Sequence, residues 1–370
     1  MKLKHLLIVG VLLIAGVAIA YGFRTLQQPD TTVQTLTTRW SSSAHADRSA
    51  EAFVHWDEEE PPLIPVDCAK CHSELGYLDY LGEDGSAAGS VDSEANPGTV
   101  VSCNTCHNES AHQKSTARFP SGMEITGLGS EALCMECHQG TRAGANVDRA
   151  VSGMDDDAVS EELGFINVHY AIAAATQMGD ETQGGYQYAG KAYVARFEHT
   201  ETMQTCTDCH DAHALTIEPQ ACSPCHLNVV DSEDFHDIRD KDTADFDGDG
   251  DSKEGVAGEI ATLHQALYEA MQSYATHVTN KPVAYSEESY PYFFNDNNGD
   301  GEVNPEEANF GNQYKSWTPR LLRAAYNYQF VKKDPGAYAH NPEYALQLLY
   351  DSMEDLGQKA PVDMQGMLRP

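Results

Sequence analysis

Cys206-Thr-Asp-Cys209-His210-Asp-Ala-His213, followed after a short step by Cys222-Ser-Pro-Cys225-His226, is the stretch on which the reading of this chain turns. Each half holds two cysteines separated by two residues, with a histidine directly after the second. The same pattern stands upstream at Cys68-Ala-Lys-Cys71-His72, Cys103-Asn-Thr-Cys106-His107 and Cys134-Met-Glu-Cys137-His138. In chain order these are motifs one to five. The chain has 10 Cys, and the five motifs use all of them. Disulfides, zinc knuckles and redox dithiols all use paired cysteines, but none requires a histidine in the same place five times.

Covalent attachment of haem does require it. Two thiols add across the two vinyl groups of one macrocycle, and the two intervening residues set their reach. The adjacent His then turns its imidazole onto the iron. Such attachment occurs outside the cytoplasm. On these motifs the chain resembles the multihaem c-type cytochromes, specifically over residues 45–226 and more weakly beyond. The resemblance implies five haem c groups and a mainly α and irregular fold, with loops wrapped on stacked haems. It also implies electron transfer to redox partner proteins or an extracellular acceptor. Some extracellular relatives stack into filaments, so a homopolymer is a variant of this reading. The rival is a multihaem oxidoreductase of the nitrite or hydroxylamine type with one open haem. Ammonia-forming nitrite reductases are also pentahaem and calcium-containing, but their catalytic haem uses Lys where all five motifs here have His. A carrier rather than an enzyme is therefore the leading expectation.

A haem used only for electron transfer is closed by a second axial ligand, and multihaem families mostly use His. The chain has 16 His. Besides the five motif residues and His5 near the N-terminus, the distal candidates are His45, upstream of motif one, His112 and His213, close behind motifs two and four, His199, just before motif four, and His169, in the long gap between motifs three and four. His55 competes with His45. His340, in Ala339-His340-Asn341-Pro342, resembles a segment near the C-terminus of some multihaem cytochromes and is held in reserve. His236, His264 and His277 read as structural.

The step from His210 to Cys222 is 12 residues, which cannot exceed about 40 Å even fully extended. Haem sites four and five must therefore be neighbours. The gap before motif four contains one predicted helix, near Phe165–Met178, and a turn or hairpin at Gly184-Gly185-Tyr186-Gln187-Tyr188. Downstream of motif five the pattern turns helical. Ile260, Leu263, Leu267, Met271 and Tyr274 recur at helical spacing. Thr318-Pro319 and Asn341-Pro342 read as helix starts, and Gly357 closes the second of these helices.

Two acidic loops interrupt this region. Asp296 to Glu307 fits the twelve-residue EF-hand loop: Asp296, Asn298 and Asp300 at positions 1, 3 and 5, Gly301 at the sharp turn, the Glu302 carbonyl at 7 and Glu307 at 12. Asp245, Asp247, Asp249 and Asp251 begin a second such loop. It lacks a carboxylate at position 12, where Val256 stands, so Glu254 or Glu259 must close it, with Glu259 preferred. Both loops are expected to hold structural calcium.

A formal net charge of −34 excludes nucleic acid, which needs clustered Lys and Arg. The N-terminus reads as an export signal, with a basic start, an apolar run from Leu6 to Ala20 and a small-x-small end at Ala18-Ile19-Ala20. Read on to Phe23, the run nears the shortest bilayer span, about 17 residues, so a retained anchor is the alternative and the only expected contact with a membrane. The expected organisation is a signal segment over 1–20 (or an anchor to about residue 23), a pentahaem domain over 21–230 and a helical C-terminal domain with the two calcium loops over 231–370. The expected location is periplasmic, extracellular or on the outer cell surface.

Overall fold

The computed structural model describes residues 32–240 and 243–370. The predicted signal segment lies outside the described residues. Among those described, no helix is long and apolar enough to cross a membrane.

The first four cysteine pairs each lie on a helical turn, within Val66–His72, Cys103–Cys106, Glu131–Cys137 and Cys206–Cys209. Residues three apart share one face of a helix, so a single turn presents both thiols together. In motifs two to five the motif His N–H donates to the carbonyl of the first Cys, at 2.9 Å in motifs two, three and four and 3.0 Å in motif five. The turn therefore closes at the His, whose ring stands at the edge of the thiol pair. Capping residues make such short turns viable. Thr205 N–H and Ser102 N–H donate to Asp208 Oδ2 (2.7 Å) and Thr105 Oγ1 (3.0 Å), tying each entering residue into its own motif.

Two small antiparallel ribbons complete the regular structure, Thr116–Arg118 with Glu124–Thr126 and Val283–Tyr285 with Phe293–Asn295. The rest is helical or irregular.

The C-terminal part contains three long helices, Val256–Tyr274, Pro319–Lys332 and Pro342–Leu356, packed on one another. The stripe read from the sequence is buried: Ile260, Leu263, Leu267, Met271 and Tyr274 all face the core. Thr318 accepts from Leu321 N–H at 3.2 Å and Asn341 from Tyr344 N–H at 3.1 Å, so each helix starts on a side-chain cap with Pro in its first turn.

The core is not confined to this part. One continuous apolar cluster joins Phe119, Met135, Val147 and Met178 to Leu263, Leu267, Tyr326 and Leu348. It draws on both sides of residue 230. Upstream, residues 32–115 contribute only two small clusters, around Ile64, Ala69 and Ala95 and around Tyr77, Leu81 and Ala111. Aliphatic packing therefore does little to hold that segment.

Two local expectations are corrected. The helix near Phe165–Met178 is only Ala173–Met178. His169 and Ala171 have φ of 73° and 57°, a left-handed backbone that ends any helical run. No hairpin forms at 184–188. Its backbone donors go instead to side chains of the C-terminal helices: Tyr186 N–H to Asn327 Oδ1 (2.7 Å) and Gly185 N–H to the Tyr344 hydroxyl (3.1 Å).

Candidate haem and calcium sites

Each motif histidine faces one other imidazole. The ring centres of His72 and His169 are 5.8 Å apart, those of His107 and His213 6.2 Å, and those of His138 and His45 6.2 Å. His210 faces His340 at 6.4 Å, and His226 faces His199 at 6.0 Å. A metal–imidazole bond is about 2 Å and the ring centre lies about 1 Å beyond the nitrogen, so two rings on opposite sides of one metal have centres about 6 Å apart. All five separations match that span. Direct ring contact would bring stacked centres closer, as with His264 and Tyr328 at 4.1 Å.

Four of the five distal candidates, His45, His169, His199 and His213, stand in these pairs. His112 does not. It is an exposed residue at the end of Glu109–Gln113, and the ring opposite motif four belongs to His340, 130 residues downstream of His210. Nearness to a motif in sequence gave His112 its rank, but five residues after His107 the chain has only turned along a short helix. His55 is exposed and lies 2.8 Å from Glu51. Among the three structural readings, His264 is half-buried with Nε2 2.9 Å from the Tyr328 carbonyl oxygen, and His277 bonds the Ser273 carbonyl.

The outer nitrogens of three paired rings are engaged. Nδ1 of His72 lies 2.7 Å from the Ala52 carbonyl oxygen and Nδ1 of His210 3.3 Å from that of Leu215. Nδ1 of His340 lies 2.8 Å from the Asp334 carboxylate. Such partners fix the N–H on Nδ1 and leave Nε2 for a metal. Burial lowers the pKa of His45, His72, His169 and His199, and takes that of His138 to about 4. These rings are therefore neutral, the form that binds metal. Burial also pulls His340 down, but the neighbouring Asp334 charge outweighs it and leaves the ring above its ordinary value.

Four of the five pairs and every motif cysteine except Cys68 line one cavity of about 2220 Å³. That exceeds twice the upper end for single-ligand pockets, about 1,000 Å³. The His72–His169 pair lies outside it, against Trp56, whose ring is 5.2 Å from His72. All ten thiols are free of disulfides. The donor set and the spacing fit haem groups held by thioethers and paired imidazoles, with four of the five pairs inside this cavity.

The motifs abut. Cys71 Sγ is 3.9 Å from the Glu136 carbonyl oxygen and Cys137 Sγ 4.0 Å from that of Lys70, so motifs one and three back onto each other. Glu131, in the motif-three helix, accepts from Cys206 N–H at 3.2 Å and pairs with Arg196 at 3.1 Å, joining motifs three and four. None of these side-chain roles was read from the sequence, where Glu131 and Glu136 carry no pattern of their own.

The two acidic loops have the same internal wiring. Asp296 accepts from Gly299 N–H (2.6 Å) and Gly301 N–H (2.9 Å), and Asp245 from Gly248 N–H (2.7 Å) and Gly250 N–H (2.9 Å). Asn298 and Asp300 brace the next turns of the first of these loops, as Asp247 and Asp249 do in the other. Glu307 closes its loop by accepting from Asn297 N–H (2.7 Å) and Asn304 N–H (3.1 Å). In the other loop Glu259 takes that position, accepting from Phe246 N–H (2.7 Å) and Asp247 N–H (2.8 Å). Among the described residues the gathered carboxylate groups include Asp245, Asp247 and Glu259, and also Asp247, Asp249 and Glu254. Burial first, and then the charges of Asp247, Glu259, Asp249 and Asp251, push Glu254 up to about 7. Asp251 stays exposed, and the carboxylates of Asp296, Asp300 and Glu307 are not gathered as closely.

No protein-family model and no solved structure matches this chain. It is similar to the c-type polyhaem cytochrome OmcB of Geobacter sulfurreducens, in two strains, at 25% identity over 369 residues, covering 83% of this chain and 46% of the relative. It is likewise similar to OmcC of the same species, at 24% over 365 residues, covering 83% of this chain and 45% of the relative. The chain thus spans a little under half the length of the curated relatives it matches. The repeated motif and this similarity together support a multihaem c-type cytochrome.

Proposed function

We propose that the chain is an exported electron carrier that holds five c-type haems, each closed by two histidines. The single observation carrying this reading is the set of five imidazole pairs at 5.8–6.4 Å, one to every motif. Bound haem would supply a one-electron iron couple. The chain's own residues fix the rest: the thiols anchor the ring edge, the paired imidazoles fill both axial positions, and burial and nearby charge set the potential. With both positions filled, no iron is left open for a substrate, which favours a carrier over the nitrite- or hydroxylamine-type enzyme. Every pair is drawn from this one chain, so the reading needs no ligand from a second copy. The acidic surface suits a basic redox partner or an extracellular acceptor.

Intact mass of the mature protein is expected to show five haem additions, and the oxidised protein a purely low-spin spectrum. One high-spin component would instead favour the enzyme, and a polypeptide without added haem would end both readings.

We also propose that the two acidic loops bind calcium, one closed by Glu307 and the other by Glu259. Chelation is expected to lower the melting temperature, and Glu307→Gln to weaken calcium binding about tenfold or more, since a bidentate ligand is lost. Calorimetric titration of the calcium-free protein checks this. An unchanged melting curve with and without chelator would count against structural calcium.

A further inference from the structure

Glu136 lies between the two cysteines of motif three, and its side chain is fully buried. Its carboxylate meets two lysines. Lys70 Nζ, from inside motif one, is 3.0 Å from Oε2. Lys114 Nζ, from the segment that follows motif two, is 2.8 Å from Oε1. Both ammonium groups also lie over the Tyr80 ring, 5.0 and 5.2 Å from its centre, a cation–π contact that favours holding charge there. Gln139 Nε2 donates to Oε2 at 3.2 Å. Burial, and then the Glu136 charge, raise the Tyr80 hydroxyl far above its ordinary value, so the ring stays neutral.

This triad joins the segments of three haem sites at a single point. It is also electrostatically odd. The chain carries −34 overall, yet here two half-buried cations meet one buried anion. A buried charge acts on a neighbouring redox centre with little screening. Ferric haem carries one more positive charge than ferrous haem, so an anion beside it lowers the potential and a cation raises it. Counted within the triad, two half-buried ammonium groups against one fully buried carboxylate leave a surplus of one positive charge.

We propose that the Lys70–Glu136–Lys114 triad, where the segments of motifs one, two and three meet, sets the potential of the motif-three haem upward. This rests on the haem reading given above. Glu136, Lys70 and Lys114 are positioning residues here, acting through charge on a centre that His45 and His138 bracket.

The test is a spectroelectrochemical titration of the five-haem protein and its variants. His45→Met, which replaces a proposed axial ligand, marks the component belonging to motif three. Glu136→Gln is expected to move that same component up. Lys70→Gln and Lys114→Gln are each expected to move it down; Lys70 stands inside motif one, so its variant also lowers the motif-one component, while Lys114→Gln leaves the other four nearly still. Opposite signs separate a charge effect from a packing defect, which has no reason to reverse. The proposal is overturned if no component moves, if the Glu and Lys variants shift the marked one in the same direction, or if Glu136→Gln and Lys114→Gln move other components instead of it. Should Glu136→Gln fail to load five haems, the two lysine variants decide, by lowering the marked component together or not. Wild-type protein with fewer than five haem additions by mass would overturn the haem reading itself, and the triad with it, before any variant is titrated.

Discussion

His340→Ala is expected to convert one low-spin haem of the oxidised protein to high spin, about one fifth of the total, while His112→Ala leaves the spectrum unchanged. His340 ends the short Ala337–His340 helix, which packs against Ala173–Met178. Its ring stands 6.4 Å from that of His210 and is steadied by Asp334, whose carboxylate is itself buried. Among the described residues no other imidazole is paired with His210, so removing this ring would leave one axial position open. Asp334→Asn keeps the ring but weakens its anchor, and loss of such an outer partner typically costs about 10–100-fold in metal affinity. A mixed spin state is expected there, and added imidazole should restore the low-spin form of His340→Ala. Electron paramagnetic resonance of the oxidised variants reads all three. A high-spin signal from His112→Ala, with none from His340→Ala, would reverse the assignment.

Replacing Cys134 and Cys137 together with Ala is expected to do more damage than the same change at any other motif. Mass spectrometry should show the loss of one haem, and far-UV circular dichroism and limited proteolysis should show the haem-bearing half loosened. The cost should exceed about 4 kcal/mol, the exceptional end for small changes. Motif three is the most deeply set of the five: Ala132, Met135 and Glu136 around it are essentially inaccessible. It abuts motifs one and four, and Met135 belongs to the main apolar cluster. Cys103 and Cys106 are exposed, so the matching change at motif two should remove its haem with only local loss of structure. Equal destabilisation at the two motifs would contradict this view of the core.

The two ends of this comparison mark what the sequence could reveal. A Cys-x-x-Cys-His motif is a local matter, two thiols and an imidazole within five residues, so the five proposed attachment sites are legible from spacing alone. The same holds for the Asp296–Glu307 loop, whose proposed ligands lie within a dozen positions, and for the stripe from Ile260 to Tyr274. The second axial ligand is not local. His45 meets His138, His169 meets His72, and His340 meets His210 at sequence separations of 93, 97 and 130 residues. No periodicity encodes such a pairing, which is why proximity promoted His112 and left His340 in reserve. The missing carboxylate of the Asp245 loop follows the same logic. Glu259 reaches back from the first turn of the Val256–Tyr274 helix, where Arg239 also holds it at 2.5 Å. The predicted helix around His169 failed because that residue takes a left-handed backbone, which hydrophobic spacing cannot register.

The pairing also dictates an order of completion. On the proposed reading, a chain exported from its N-terminus would deliver His45 long before His138, and His199 before His226. Both sites therefore find their second ring already waiting when the motif emerges. Motif four is different: all five attachment sites are through the pore well before His340 follows. Its iron would be the last to acquire two imidazoles, and a polypeptide truncated ahead of His340 would mature with that one centre half-dressed.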